Sequence, residues 1–266
     1  MTTRLVTSCP IDNLSNQLTG RRITLNNPKR SNALVPELTR ELLVELETVK
    51  DRGEKIVIID AEGAHFSTGG DIGRFAEQID QKNGQSFAHT LVEQLQLIVF
   101  KLLAMDAIIV TAAQGAITGG SAGIVFASDL VVFDETSFIQ PYYREVGFAP
   151  DGGWSALLPE IIGAKRAATI QLANKRIEPK VAVEWGIGQH LTSVGKAQEK
   201  AHSIAMELSR LPNFDALTIA KRLVWNEEKL ETIERGLEAE TGAFLNLFRA
   251  PHIPSTLAAF STGRAS

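Results

Sequence analysis

Three observations predict an α/β fold. The N-terminal half alternates short β-branched runs with glycine turns and amphipathic helices, each of two glycine-rich sites follows an apolar run, and from about Asn213 the chain reads as helices alone. The predicted strands are Arg22 to Leu25, Ile56 to Asp60, Ala107 to Ala112 and Leu130 to Phe133. Pro36, suited to a first helical turn, introduces a helix with Leu38, Leu42, Leu43, Leu46 and Val49 on one face. A second helix, from about Ser86 to Leu103, carries Leu91, Leu95, Ile98, Val99 and Leu102 at helical spacing, a core stripe. From Glu227 onward Leu230, Ile233, Leu237, Phe244 and Phe248 form a long apolar stripe that must pack on something. Pro212 and the Pro251 to Pro254 segment are the clearest breaks, and no internal repeat is visible.

A chain of 266 residues with 44% hydrophobic side chains can bury a large core, so one domain with a helical appendage is expected. The balance of 27 basic to 31 acidic residues, a net charge of −4 with no dense basic run, argues against a nucleic-acid partner. Cys9 is the only cysteine and forms no intrachain disulfide. With neither a signal-peptide pattern nor a long uncharged apolar span, the expectation is a soluble cytoplasmic protein with no membrane partner.

The most informative segment is Ala64 to Asp71, Ala-His-Phe-Ser-Thr-Gly-Gly-Asp, followed fifty residues on by Gly119-Gly120-Ser121-Ala122-Gly123. Two such sites suggest two backbone N–H donors aimed at one point, a means of stabilising an enolate or tetrahedral oxyanion formed from a thioester carbonyl. Each site has a plainer reading: Gly69-Gly70 as a strand-to-loop turn, Gly119-Gly120 as a helix start packed closely on a strand.

The flanking segments narrow the choice. Asn27-Pro28-Lys29-Arg30-Ser31-Asn32-Ala33-Leu34 precedes the first helix, Ile56-Val57-Ile58-Ile59 leads to the first glycine site, and Gly147-Phe148-Ala149-Pro150-Asp151-Gly152-Gly153 follows the second. In that order and spacing the chain resembles the enoyl-CoA hydratase/isomerase family, the crotonases, over roughly residues 20 to 264. The resemblance implies a spiral of ββα units in a core of residues 1–200. It also implies a helical region, 201–266, that builds trimer contacts and covers an acyl-CoA site, so that the protein is a homotrimer or a dimer of trimers.

Carried over residue by residue, the resemblance makes the N–H groups of Gly70 and Gly120 the oxyanion donors. It lays the CoA moiety along Lys29, Arg30 and Ser31 with Ala64, Phe66 and Thr68. Lys29 and Arg30 could meet phosphates or form a solvated turn, and His65 could be a packing histidine. CoA enters as part of the substrate; no separate cofactor and no metal site is expected.

The sequence departs from a hydratase at the acid/base positions. Family hydratases use two glutamates to position and deprotonate water. Here the first position is Gly123 and the second is Tyr143, or Tyr142 in the alternative register, and the nearby Glu145 reads as exposed or salt-bridged. Asp151 is the one carboxylate left in a motif position. It could be an ordinary helix N-cap, or the proton carrier used by certain double-bond isomerases, in apolar surroundings such as Phe148 and Trp154 that favour its neutral form. Tyr142 and Tyr143, the only tyrosines, could close the acyl pocket or simply pack the loop with Arg144. Dehalogenation is disfavoured because the histidine of that branch falls near Gln96. The expected activity is isomerisation of an enoyl-CoA double bond, with Asp151 as the single acid/base. The alternatives are hydration, C–C bond or thioester hydrolysis, or a catalytically inactive binding or structural subunit; an RNA-binding role is opposed by the acidic balance.

Overall fold

In the computed structural model, which describes residues 4–262, the predicted strands form the middle of one sheet. Eight strands occur among the described residues: β1 (Val6–Pro10), β2 (Gly20–Leu25), β3 (Ile56–Ala61), β4 (Ile108–Ala113), β5 (Ala116–Thr118), β6 (Leu130–Asp134), β7 (Phe138–Gln140) and β8 (His190–Thr192). The main sheet has the order β1-β2-β3-β4-β6-β8, antiparallel at β1–β2 and parallel elsewhere. Parallel neighbours need crossovers. They are supplied by α1 (Pro36–Asp51) between β2 and β3, and by α2 (Ile72–Asp80) and α3 (Gly84–Ala104) between β3 and β4.

All six residues of β3 and of β4 are buried, because both faces of the sheet are covered. Val57, Ile59 and Ala61 face a core shared with α1 and α3, while Ile56 and Ile58 face a second core closed by Ala201, Ile204 and Ala205 of α9 (Ala197–Arg210). The site lies on the α3 side.

A second, smaller layer consists of β5 paired parallel with β7, extended by bridges at Leu34–Gly70, Ser67–Ile117 and Ile139–Ile177. Thus the chain leaving β2, β3, β4 and β6 in each case turns into a short extended piece of this layer. These pieces carry too few residues for a period-two signal, and sequence analysis missed them along with β1 and β8. Between and after them run α4 (Ala122–Phe126), α5 (Tyr143–Val146), α6 (Leu158–Ile162), α7 (Ala164–Leu172) and α8 (Pro179–Glu184).

By length and composition α3 could cross a membrane, yet 50% of its most apolar stretch is buried within the protein, where it packs against α1, α2 and α11. The C-terminal region comprises the end of α9, which spans residue 200, then α10 (Asp215–Val224), α11 (Glu227–Phe248) and α12 (Ile253–Ser261). The apolar stripe of α11 finds its partner in the chain's own core: Ile233, Leu237, Phe244 and Phe248 are buried there. Lys221 fastens α10, its buried ammonium donating to the carbonyls of Leu102 and Ala107 (both 2.9 Å) and to Asp129 Oδ2 (2.8 Å).

Candidate active site

The two glycine loops meet because the small layer holds them side by side. Ser67 N–H donates to Ala116 O (3.0 Å) and Thr118 N–H to Ser67 O (3.1 Å). At the Leu34–Gly70 bridge, Leu34 N–H bonds Gly69 O (2.7 Å) and Asp71 N–H bonds Leu34 O (3.1 Å). These bonds use the groups flanking Gly70, so its own N–H points away from Leu34. Gly120 stands in a 3-10 turn, Gly119–Ser121, whose leading amides have no carbonyl one turn earlier. Both glycines line the same cavity. Gly69, at φ +74°, makes the approach possible: a methyl there would lie 2.6 Å from Thr118 O. Trp154 Nε1 donates to Gly119 O (2.8 Å) and braces the turn from behind.

Asp151 sits against the second glycine loop. A methyl on Gly120 would lie 2.6 Å from Asp151 Oδ1 and 2.5 Å from Leu95 Cδ2, so only glycine lets the carboxylate come this close. The Tyr143 hydroxyl donates to Asp151 Oδ1 (2.6 Å) and is 3.0 Å from the Asp151 carbonyl oxygen. Burial raises the Asp151 pKa to about 7; the Tyr143 hydrogen bond opposes the rise and the Glu240 charge adds to it. Burial, with the adjacent Asp151 charge, pushes the Tyr143 phenol well above its usual value, so it remains a donor. Asp151 is not a helix N-cap: residues 152–157 form turns, and the next helix, α6, begins at Leu158.

Gly123, where hydratases carry a glutamate, has no room for a side chain. A methyl there would lie 2.1 Å from the carbonyl oxygen of Gly152, and Gly152, at φ +66°, itself packs on the backbone of Gly120. The same backbone-on-backbone seam that brings Asp151 to Gly120 therefore excludes a glutamate at position 123.

The cavity has a volume of about 640 Å³. Its inner part is apolar, walled by Phe75, Leu91, Leu95, Val146, Phe148 and Phe244. Phe75, Phe148 and Phe244 form one aromatic group, with centroid separations of 4.7 to 6.2 Å. A methyl on Gly70 would lie 2.9 Å from Phe75 Cε2, so this ring sets the floor beside the first glycine loop. The outer part carries Lys29, Arg30, Ser31, Thr68 and Tyr142, with Phe260 of α12 in edge contact with Tyr142 at 6.3 Å.

Most residues singled out in the sequence thus converge: Gly70, Gly120, Asp151, Tyr143, Lys29, Arg30, Ser31, Thr68 and Tyr142 all line this cavity. Ala64 and Phe66 do not; Ala64 is exposed and Phe66 wholly buried, while His65 between them reaches the cavity and accepts Ala116 N–H at Nδ1 (3.1 Å). Arg30 is already engaged, its Nη2 lying 2.8 and 2.7 Å from the two oxygens of Asp71, the N-cap of α2. Lys29 makes no ion pair among the described residues. Glu145 is tied to Arg144 (3.1 Å) and Asn174 (3.2 Å), and Gln96 accepts from Thr241 (3.0 Å) outside the cavity.

Sequence reasoning missed Phe75, Phe244, Phe260, Asp71 and Glu240. The last had a signal. Glu240 interrupts the stripe Ile233, Leu237, Phe244, Phe248 at the spacing where an apolar residue belongs, and it is buried. No group of three or more potential metal ligands occurs among the described residues.

Architecture and cavity define the class first. The fold matches that of enoyl-CoA hydratase from Bacillus halodurans, with a TM-score of 0.84 at 21% identity over 96% of this chain and 99% of that one. It is the crotonase fold that the sequence led us to expect. Residues 20–265 match the enoyl-CoA hydratase/isomerase family, and the chain belongs to that family. Among curated relatives it is 29% identical to trans-2-decenoyl-[acyl-carrier-protein] isomerase of Streptococcus mutans, over 85% of this chain and 88% of that protein. It is 27% identical to 4-chlorobenzoyl coenzyme A dehalogenase-2 of an Arthrobacter species, over 90% and 86%.

Proposed function

We propose that this protein is an enoyl-thioester double-bond isomerase that works through a dienolate. The thioester carbonyl oxygen accepts hydrogen bonds from the N–H groups of Gly70 and Gly120, which acidifies the neighbouring C–H bonds. The Asp151 carboxylate takes a proton from one carbon of the allylic system, electrons move towards the thioester oxygen, and the resulting carboxylic acid returns a proton to the other end. Atoms and charge balance with one shuttle. Tyr143 orients that shuttle by its hydrogen bond to Oδ1, and the apolar aromatic wall holds the acyl chain away from water.

The observation that carries the reading is the contact of a buried Asp151, poised at about pH 7, with the Gly120 turn, together with a Gly123 that cannot accommodate a second acid. The relation to the S. mutans isomerase favours the same choice. The 4-chlorobenzoyl-CoA dehalogenase relation does not, since Gln96 is turned to Thr241 outside the cavity. For the CoA moiety we propose the outer part of the cavity, with Lys29 and, on release from Asp71, Arg30 near the phosphates. A homotrimer or dimer of trimers in the cytoplasm goes with this reading.

The test is incubation of the purified protein with 2-trans- and 3-trans-decenoyl-CoA. The proposal expects each to convert to the other with no change of mass. A product heavier by one water, with no positional isomer, would replace isomerase by hydratase.

A further inference from the structure

Glu240 is the buried ionisable group of this region that the proposed chemistry leaves without a task. It projects from α11 towards the turn that follows Asp151, and all its partners there are donors. Gly153 N–H reaches Oε2 (2.7 Å), while Ser155 N–H (2.5 Å), Ser155 Oγ–H (2.7 Å) and Ala156 N–H (2.9 Å) converge on Oε1. Four donors converging on one side chain favour the ionised carboxylate, which can accept at every lone pair. Its burial, only 3% of the residue being exposed, raises its pKa above the usual carboxylate value, and the hydrogen bonds from Ser155, Gly153 and Ala156 oppose that rise.

The amide of Gly153, two residues on, is one that an aspartate at position 151 would ordinarily cap, and the amides of Ser155 and Ala156 stand in the same turn. They are served instead from another helix. We propose that Glu240 is a positioning residue for Asp151: by capping the 153–156 turn from α11, it frees the Asp151 carboxylate to face Gly120 and the cavity, and it fixes the seam on which that placement depends. The seam tolerates little movement, because Gly152 and Gly120 touch backbone to backbone. Gly236, one turn earlier on α11, is in similar contact with the same segment, since a methyl there would lie 2.8 Å from Ala156 Cβ. The helix is thus seated along the turn, and Phe244, one turn further on, walls the acyl part of the cavity.

This inference rests on Asp151 being the proton carrier, and the experiment separates the two. Glu240→Gln, Glu240→Ala and Asp151→Asn are compared with the wild type for melting temperature, kcat, KM and the pH profile of kcat/KM on decenoyl-CoA interconversion. Tyr143 on α5 and Glu240 on α11 are the ionisable groups acting on Asp151; α3 offers it Leu95, and the Gly119–Ser121 turn no ionisable group. Glu240→Ala is expected to lose about 10²-fold in kcat, the cost of a displacement on the order of 1 Å, with KM nearly unchanged. Glu240→Gln, which keeps one acceptor and removes the charge, should fall between, with the acid limb of its profile moved to lower pH. If Asp151→Asn is inactive while both Glu240 variants keep wild-type kcat and acid limb, the positioning role is refuted and the proposed reaction stands. If Asp151→Asn is active, the reaction assignment fails and takes this inference with it. Should Glu240→Ala not fold, the kcat and acid limb of Glu240→Gln decide alone.

Discussion

The two ends of the cavity treat charge in opposite ways. At the inner end a single carboxylate, Asp151, is enclosed by apolar walls, holds one hydrogen bond from Tyr143, and has its pKa raised to about 7. At the outer end Arg30 is 57% exposed and paired with Asp71, and Lys29 stands in solvent. Burial multiplies the effect of each neighbour on Asp151, whereas water and salt blunt the outer pair. The proposed chemistry therefore belongs to the inner end, and on that reading the outer end contributes attraction and alignment.

The largest effect should come from Gly120→Pro, which deletes an amide donor without altering the outer end. Turnover should fall by roughly 10²- to 10³-fold, the usual worth of one oxyanion donor, while binding of CoA itself remains measurable by titration. Circular dichroism must show an intact fold, and a folded variant with undiminished turnover would remove Gly120 from the chemistry.

The raised pKa of Asp151 has a consequence for stability. An acid whose folded pKa lies near 7 and whose unfolded pKa is near 3.9 binds more protons when folded at every pH between them. Its stabilising contribution is complete below about pH 4 and is lost as pH rises through about 7, at most about 4 kcal/mol in all. Asp151→Asn cannot titrate, so its melting temperature relative to wild type should climb from pH 4 to pH 8. A constant difference across that range would mean that Asp151 titrates as an ordinary surface carboxylate.

Gly123→Ala probes the seam between the two. Its methyl would meet Gly152 O at 2.1 Å, so the expected loss is about 1–3 kcal/mol by chemical denaturation, with turnover reduced as the 151–153 turn shifts. An alanine protein of native stability would show that the turn yields freely, and that space at 123 does not exclude a glutamate. The smallest effect should be that of Lys29→Ala with Arg30→Ala: KM for the CoA ester raised a few-fold, kcat unchanged, and the difference diminished in high salt. A kcat effect as large as that at Gly120 would erase the contrast between the ends.

The sequence made the same contrast only partly legible. The strands β2, β3, β4 and β6 and the helices α1, α3 and α11 are long enough for their apolar pattern to speak, and their ends fall within one or two residues of expectation. The second layer could not be read in that way, since β5 and β7 are three residues each and the remaining pairings are isolated bridges. Gly70, Gly120 and Asp151 could be found because their motif is local and ordered along the chain. What joins them is not local. The Tyr143 hydroxyl reaches Asp151 across a loop whose register the sequence left uncertain by one residue, and Glu240 acts over 87 positions. Its one sequence trace was a charge where a stripe required an apolar residue. Arg30 was legible as a cation but not as the partner of Asp71, which lies on the far side of α1 and β3 in the chain.

The central claim is that one carboxylate, Asp151, carries the proton. The most direct measurement is isotope incorporation: wild type and Asp151→Asn, each with 3-trans-decenoyl-CoA in deuterated buffer, with deuterium at the carbons flanking the migrating double bond read by mass spectrometry. The wild type should form the positional isomer and place solvent deuterium in substrate or product. The folded asparagine protein should do neither above roughly a hundredth of that rate. Isomerisation and exchange at wild-type rates in the asparagine protein would contradict the account.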